Sequence, residues 1–170
     1  MKLEIREATP DDADNLAMLC KDIQALHAGM YPALFCEPTH DELAVFFRAC
    51  MTDPKFTAFL ALDQGEPVGY VALNIVRRPP HILIRAREAV EIDHIHVNKT
   101  HRKQGIGRRL AALALEVASS YGIATVQLSV WARNTRAVAA FSALGFEPQR
   151  HIMVLRNREM PEKDGEDGCW

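Results

Sequence analysis

Apolar residues recur at helical spacing in four segments of the chain, and capping signals mark the ends of those segments. The second helix is introduced by a capping box, in which Thr39 is followed three residues later by Glu42. Gly122 and Gly145 follow the third and fourth helical segments at positions typical of a C′ glycine. The predicted helices begin at or just after Thr9, Thr39, Gly105 and Asn134.

Strands are predicted where apolar and polar residues alternate, or where a short apolar run is bounded by turn residues. Residues 63–67 (Asp-Gln-Gly-Glu-Pro) are typical of a hairpin turn between two such runs. The charged, glycine-containing segment 157–170 is expected to be a flexible tail, so the folded domain is expected over residues 1–156. The predicted strands cover residues 2–6, 56–62, 68–76, 88–97, 124–131 and 146–155, with a further short strand around residues 81–84.

The strand predicted over residues 88–97 changes the parity of its apolar positions halfway along. Because side chains in a strand alternate between faces with a period of two, this change requires one extra residue. It therefore predicts a β-bulge near Asp93-His94. The alternative is an unbroken strand in which His94 and His96 face solvent. The apolar residues have one parity in the first half and the opposite parity in the second: Val90 and Ile92, then Ile95 and Val97.

Two glycines and a basic cluster lie between this strand and the third helix. Five Lys and Arg residues fall between Lys99 and Arg109, and no acidic residue occurs from His94 to Leu115. Because the helix macrodipole disfavours cations at a helix N-terminus, a basic cluster there indicates a bound anion. The segment Arg102–Gly107 is therefore predicted to bind an anion through backbone N–H groups and flanking cations.

Composition limits the class of protein. A chain of 170 residues with 48% hydrophobic and 25% charged residues is typical of one globular domain. A net charge of -2 and a pI near 6.4 argue against a broad nucleic-acid surface, so the anion site must be local. We expect neither a signal peptide nor a membrane span. The four cysteines lack metal-ligand spacing and disulfide density, so we expect reduced thiols, no metal and a cytoplasmic location.

The stretch of residues 91–146 resembles the GNAT superfamily of acyl-CoA-dependent N-acetyltransferases. The resemblance rests on a bulged strand, the R-x-x-G-x-G motif of residues 102–107, a helix, a strand, a helix capped by Asn134, and the dipeptide Gly145-Phe146. It extends more loosely over residues 3–155. The resemblance implies an α/β GNAT fold, with a mixed central sheet of six to seven strands splayed into a V and about four helices on both faces.

The resemblance also implies acetyl-CoA as the cosubstrate, held beside the bulged strand. Ile95, His96 and Val97 match the strand positions that pair with the pantetheine arm. Asn134 and Phe141 match positions beside that arm and beside the thioester sulfur. The residues that match the pyrophosphate-binding loop are Arg102, Lys103, Gln104, Gly105, Ile106, Gly107 and Arg108.

Acetyl transfer requires a neutral amine, whereas an alkyl ammonium group has a pKa of about 10.4. Glu91 matches a position where some family members carry a catalytic glutamate, and it is the first candidate for the general base. Asp93 lies two residues further on, nominally on the same face, and is the second candidate. The alternative is that both carboxylates are solvated or are paired with Arg85 or Arg87.

Phe141 departs from the family pattern, because many members use a tyrosine there as the general acid. Phe141 cannot donate a proton, so either another group does so or the thiolate leaves unassisted, as a thiol pKa of about 8.5 permits. His94 and His96 titrate near neutrality and are candidates for a proton relay, although a surface or pocket-wall position is expected for both. The other candidates for the acid are Tyr31, Tyr70, Ser142 and a water molecule.

The acceptor is expected to be a primary amine of a small molecule or peptide. Its site should be built from the first two helices, the loop between them and the segment before the bulged strand. Packing, or a solvated basic face, is the alternative role for each candidate. The candidates are His27, Tyr31, Phe35, Trp131 and the segment 77–80 (Arg-Arg-Pro-Pro).

The predicted function is therefore transfer of an acetyl group from acetyl-CoA to such an amine by direct attack. The alternative is a non-catalytic acyl-CoA-binding or sensor module on the same fold, which the absence of the tyrosine keeps open. A P-loop nucleotidase is disfavoured, because the chain lacks a G-x-x-x-x-G-K-[ST] motif. A homodimer is expected from family habit alone, and no nucleic-acid partner is expected.

Overall fold

The computed structural model describes residues 2–155, which form a mixed five-stranded sheet and four α-helices. The predicted α/β class and the four predicted helices are confirmed. The strands are β1 (Leu3–Glu7), β2 (Phe56–Asp63), β3 (Glu66–Arg78), β4 (Arg87–Val97) and β5 (Val126–Leu128). The helices are α1 (Ala13–Met30), α2 (His40–Cys50), α3 (Ile106–Ser120) and α4 (Thr135–Ala143).

Strand order in the sheet follows chain order. β1 to β4 are antiparallel neighbours, and β5 joins β4 in parallel after the α3 crossover. Gln64 and Gly65 connect β2 to β3 with φ values of 54° and 91°. Positive φ at both central residues matches the twist that a two-residue hairpin requires, so the hairpin predicted at residues 63–67 is confirmed.

α2, α3 and α4 begin at the predicted capping residues, whereas α1 begins at Ala13, after a 3-10 turn over Pro10–Asp12 that the predicted cap Thr9 precedes. At the start of α2, the Glu42 carboxylate accepts a hydrogen bond from the Thr39 N–H at 2.7 Å, and Thr39 Oγ1 accepts one from the Glu42 N–H at 3.3 Å. Gly122 and Gly145 follow α3 and α4 with φ values of 68° and 94°. Glycine adopts this left-handed conformation without a Cβ penalty, which explains where both helices end.

Apolar side chains are buried on both faces of the sheet. On one face, Leu16 of α1 and Phe47 of α2 pack against strand residues such as Leu60. On the opposite face, Leu110 of α3 packs against a second set that includes Val71. Successive side chains of a strand point to opposite faces of the sheet, so the same strands contribute apolar residues to both cores. The predicted placement of helices on both faces is confirmed.

The described sheet has five strands, so the expectation of six to seven is wrong. The segment predicted as a strand over residues 146–155 is irregular, and its last four residues are 75–99% exposed. Residues 81–84 form only an isolated bridge, and β5 covers three residues of the predicted 124–131. Alternation favours an extended backbone, but a strand also needs a hydrogen-bonding neighbour, which these segments lack within residues 2–155.

Cys20 and Cys50 are free thiols, as expected. Among the described helices, none combines the length and the apolar character needed to cross a lipid bilayer. The tail expected at residues 157–170 lies outside the described part of the chain.

Candidate active site

β4 contains the predicted bulge. Ala72 of β3 pairs with His94, whereas the next residue of β3 pairs with Ile92, which leaves Asp93 as the extra residue. Because of the extra residue, Val90 and Ile92 before the bulge and Ile95 and Val97 after it face the same side of the sheet, as the apolar pattern requires. His96 is only 7% exposed and His94 is partly buried, so the alternative in which both histidines face solvent is wrong.

The parallel ladder between β4 and β5 is short. It runs only from Val90 to Ile92 of β4, which pair with Val126 and Leu128 of β5 at its two ends. Beyond Ile92, β4 continues to Val97 and pairs with β3, and no described strand pairs with its other edge. Ile95, His96 and Val97, which are predicted to bind acetyl-CoA, lie in this part of β4.

Glu91 and Asp93 lie on the same side of the sheet. Asn74 is the register partner of Glu91, and its side-chain Nδ2 donates a hydrogen bond to the Asp93 carboxylate. Glu91 Oε2 accepts a hydrogen bond from Gln127 Nε2 at 2.8 Å. Neither carboxylate forms an ion pair with a described residue, so the alternative in which an arginine neutralises them is wrong.

The surroundings of Asp93 favour its protonated form. Partial burial raises the pKa of the Asp93 carboxyl group, and the nearby negative charge of Glu91 acts in the same direction. The hydrogen bond from Asn74 opposes both effects, and burial prevails. The side chain is still open to solvent, so Asp93 is an accessible carboxylate with more basic character than an ordinary aspartate.

His94 belongs to a buried hydrogen-bond network. Its Nδ1 lies 3.0 Å from Tyr70 Oη and 3.5 Å from Cys20 Sγ. Burial lowers the pKa of His94 to about 4, and the charge of His27 adds to this effect. Burial also raises the pKa of Tyr70 well above its ordinary value. At neutral pH Tyr70 therefore keeps its proton and the His94 imidazole is neutral, with a hydrogen bond between Tyr70 Oη and His94 Nδ1.

A cavity of about 200 Å³ opens beside these groups, between α2 and the strands β3 and β4. Its apolar wall includes Phe46, Phe47 and Phe56. Its polar side is formed by Asn74, Asp93 and His94. A small apolar pocket with a few convergent polar groups and a perturbed carboxyl group is typical of a substrate site.

The loop before α3 has the geometry of an anion site. Gly105, at the N-cap of α3, has φ of 81°, and Lys103 has φ of 62°. Within residues 2–155, the backbone N–H groups from Gly105 to Arg108 donate to no protein acceptor. A Cβ atom at Gly107 would come no closer than 3.9 Å to a neighbour, so this face of the helix start is open. These N–H groups are available to a ligand.

Two arginines, Arg102 and Arg136, lie near the loop that precedes α3. Arg102 Nε donates to the Val97 carbonyl at 2.8 Å, which fixes the arginine beside β4. The pKa of Arg102 is lowered mainly by burial and also by the positive charge of Arg136 on α4. Two arginines held close together are stabilised by an anion between them.

Asn134 is the N-cap of α4, and Phe141 lies within that helix. Asn134 Oδ1 accepts a hydrogen bond from the Ala137 N–H at 3.1 Å, which confirms its predicted role as the N-cap of α4. The ring of Phe141 packs against Phe146, with centroids 5.8 Å apart. Contact of either side chain with acetyl-CoA stays a prediction.

The aromatic acceptor candidates come together, although they are distant in sequence. His27 and Phe35 have ring centroids 4.9 Å apart, as do Tyr31 and Trp131, and Phe35 lies 5.0 Å from Trp131. The Arg133 guanidinium lies over the Tyr31 ring at 5.1 Å. The other candidate segment, residues 77–80, is separate from this cluster: Arg78 lines a second cavity of about 180 Å³.

Several site residues were not predicted from the sequence. Asn74 and Gln127 hold the two carboxylates, and Phe46 and Phe56 line the cavity. The only available signal was Asn74, a polar residue inside the apolar run of residues 68–76. The phenylalanines carry no such signal, because an apolar residue in a helix or strand is ordinarily part of a core.

Comparison with known proteins relates the chain to acetyltransferases. A family model described as Acetyltransferase (GNAT) family matches residues 20–146. The chain is 27% identical over 125 residues to N-acetyltransferase family 8 member 3 of Rattus norvegicus, covering 72% of this chain and 53% of the relative. The chain thus spans about half the length of the curated relatives it matches.

Solved structures share the fold. A tetramutant of the BH1408 protein from Bacillus halodurans has a TM-score of 0.84 and 25% identity, and the match covers 91% of this chain and 99% of that one. The aminoglycoside N-acetyltransferase AAC(6')-Iy, solved in complex with CoA, has a TM-score of 0.74 and 18% identity, with 92% and 95% of the two chains covered.

Proposed function

The chain belongs to the acetyltransferase (GNAT) family, and on that premise we propose that it transfers an acetyl group from acetyl-CoA to a primary amine of a small molecule or peptide by direct attack. The observation that carries the proposal lies at one edge of β4. There the ladder to β5 stops, a bulge follows, and four unengaged N–H groups face outward at the start of α3.

The residues present fit an acyl-CoA molecule. The edge of β4 that faces away from β3 between Ile95 and Val97 offers backbone groups to an extended amide-containing arm, apart from the Val97 carbonyl, which accepts from Arg102. The N–H groups from Gly105 to Arg108 offer hydrogen-bond donors to a diphosphate. Arg102 and Arg136 supply positive charge next to that loop. When bound, acetyl-CoA supplies the activated acyl group.

Asp93 is the proposed general base, with Glu91 as the second candidate. Catalytic bases work best when their pKa lies near the working pH, and burial moves the pKa of Asp93 in that direction. Glu91 is held by Gln127, whereas Asp93 both lines the cavity and is open to solvent. Asp93 can therefore take a proton from an amine directly or through water.

Direct attack by the amine is supported by the raised pKa of two cysteine thiols. Burial raises the pKa of both Cys20 and Cys50, which disfavours the thiolate that a covalent acetyl-cysteine intermediate would need. The departing CoA thiolate is proposed to leave unassisted. Tyr70 is fully buried, engaged with His94 and too weak an acid, and Tyr31 accepts a hydrogen bond from the Arg133 N–H in the aromatic cluster.

A panel of polyamines, aminoglycosides, amino acids and peptides, assayed for acetyl-CoA-dependent thiol release, tests this function. We expect release that requires an amine and yields a product one acetyl group heavier by mass spectrometry. Tight binding of acetyl-CoA with no transfer to any amine would instead support the acyl-CoA-binding or sensor module. A homodimer and a cytoplasmic location stay predictions.

A further inference from the structure

We propose that the acceptor is a small primary amine that carries an apolar or aromatic group and no carboxylate, bound in the cavity between α2 and the sheet. This inference rests on the proposed function and names the acceptor class for that same site. It follows from the shape of the cavity, the chemistry of its walls and the position of its single charge.

The apolar wall of the cavity is aromatic. Phe47 is only 1% exposed, and its ring packs edge-to-face against Phe46 and Tyr70, with centroids 5.2 Å and 6.0 Å away. Phe56, in the first position of β2, forms another part of the wall. Three phenylalanine side chains offer contact area to an apolar group, and they offer no hydrogen bond to a hydroxyl or a second ammonium group.

The polar side places a negative charge at one point of the cavity. Asp93 is the one lining group, among the described residues, that is charged at neutral pH, because His94 is held neutral. An ammonium group is attracted to Asp93 and then loses its proton to it before attack.

A carboxylate on the acceptor would be unfavourable in this cavity. Among the residues that the structure describes, no lysine or arginine lines it, so an acidic group would be desolvated beside Asp93 without a cationic partner. The second cavity differs, because Arg78 and Arg87 line it together with Glu88.

The volume limits the size of the acceptor. A cavity of about 200 Å³ lies below the range of about 300–1,000 Å³ typical of sites for drug-sized ligands. An arylalkylamine or a branched alkylamine fits inside such a space, whereas most of an aminoglycoside would lie outside it. A linear polyamine would place its second ammonium group against the phenylalanine wall.

Steady-state acetylation of 2-phenylethylamine, phenylalanine, spermidine and kanamycin, together with calorimetric binding of 2-phenylethylamine, tests the inference. We expect kcat/KM for 2-phenylethylamine to exceed that for each of the other three by at least tenfold. Phenylalanine differs from 2-phenylethylamine only by a carboxylate, so this pair isolates the charge argument.

A pair of neighbouring variants on α2 localises the site. Phe46 lines the cavity and is 48% exposed, so Phe46→Ala should fold and should lower kcat/KM for 2-phenylethylamine about tenfold. Val45 is 63% exposed and does not line the cavity, so Val45→Ala should leave that value unchanged. Acetyl-CoA affinity should be the same in both variants.

The outcomes separate this inference from the proposed function. Faster acetylation of phenylalanine, spermidine or kanamycin would overturn the inference and leave the acetyltransferase function intact. Failure of 2-phenylethylamine to bind, or an equal effect of the two variants, would also overturn it. Binding of 2-phenylethylamine without transfer to any amine would overturn the proposed function.

Discussion

At the scale of single residues, Asp93 combines three properties that act on the same carboxyl group. It is the extra residue of a bulge, it accepts a hydrogen bond from Asn74, and it lines the cavity. Its raised pKa arises mainly from burial, which also makes the carboxylate a better proton acceptor. The bulge therefore supplies both the position and the basicity that deprotonation of an amine requires.

Replacing Asp93 by asparagine should lower kcat/KM by about 100-fold or more near pH 7, because a positioned general base contributes about that much. The loss should shrink at high pH, where the amine is already neutral. In the unmodified protein, kcat/KM should fall as pH drops through the raised pKa of Asp93, since the basic form is then lost. A pH–rate profile of both proteins measures this.

Glu91→Gln is the matched variant, because it removes the neighbouring charge and keeps the shape. We expect a smaller loss than for Asp93→Asn, together with a lower pKa for Asp93, since the charge of Glu91 helps to raise it. A larger, pH-dependent loss in Glu91→Gln would transfer the role of base to Glu91. An equal loss at every pH in Asp93→Asn would exclude Asp93.

His94 should make folding stability depend on pH. Its pKa is about 4 in the folded protein and about 6.5 in an unfolded chain. Protonation therefore favours the unfolded state, and stability present above about pH 6.5 is lost as pH falls towards 4. When the pH falls from 7 to 4.5, the unfolding free energy decreases in both proteins. We expect the decrease to be about 2 kcal/mol smaller in His94→Gln than in the unmodified protein.

Urea denaturation at several pH values checks this expectation. Groups other than His94 contribute equally to both proteins and cancel in the comparison. The same slope in His94→Gln and in the unmodified protein would contradict the buried, neutral state of His94.

At the scale of elements, the start of α3 and the edge of β4 act together. Arg102 ties the loop to β4 through the Val97 carbonyl, and the unengaged N–H groups from Gly105 to Arg108 lie directly after it. A helix start with no acidic residue and with free donors suits an anion, and the adjacent unpaired edge suits an extended chain. One continuous ligand can use both features.

Gly107→Val tests the loop with little effect on folding. Gly107 is already helical and its nearest neighbour, Val97 Cγ2, is 3.9 Å from the added Cβ position, whereas Gly105 has φ of 81° and would be strained by any side chain. We expect Gly107→Val to weaken acetyl-CoA binding at least tenfold by calorimetry, because the side chain blocks close approach of a diphosphate.

Gly29→Ala is the control for this variant, since no atom lies within 4 Å of the added Cβ and the residue is far along the chain in α1. Its acetyl-CoA affinity should match that of the unmodified protein. Unchanged affinity in Gly107→Val would show that the glycine loop does not hold the diphosphate.

At the scale of the whole molecule, donor binding should stabilise the fold. The sites proposed for acetyl-CoA join β4, α3 and α4, which come together only in the folded chain. A ligand that binds only the native state at 100 times its Kd adds about 2.7 kcal/mol to the unfolding free energy. We therefore expect acetyl-CoA to raise Tm by several degrees, and ATP to raise it much less.

A thermal-denaturation series with acetyl-CoA, CoA and ATP at equal concentrations measures this effect. Equal stabilisation by ATP would show a general phosphate site rather than one that also holds the acyl arm. Stabilisation by acetyl-CoA does not separate an enzyme from a sensor module, since both bind the donor. The amine-dependent release of thiol decides between those two functions.

Features that depend on neighbouring residues were accessible from the amino-acid order alone. The capping box at Thr39, the hairpin at residues 63–67 and the parity change around Asp93 each arise from local backbone geometry, and the structure confirms all three. The motif at residues 102–107 and the order of elements after it were enough to indicate the family, which the family model confirms.

Features that depend on distant residues were decided only by folding. The raised pKa of Asp93 depends on burial and on the charge of Glu91, and the cavity exists only where α2 meets β3 and β4. The five-stranded sheet likewise reflects which extended segments find a partner. Periodicity and caps act over a few residues, whereas desolvation, hydrogen-bond partners and cavity shape are set by atoms that only the tertiary structure brings together.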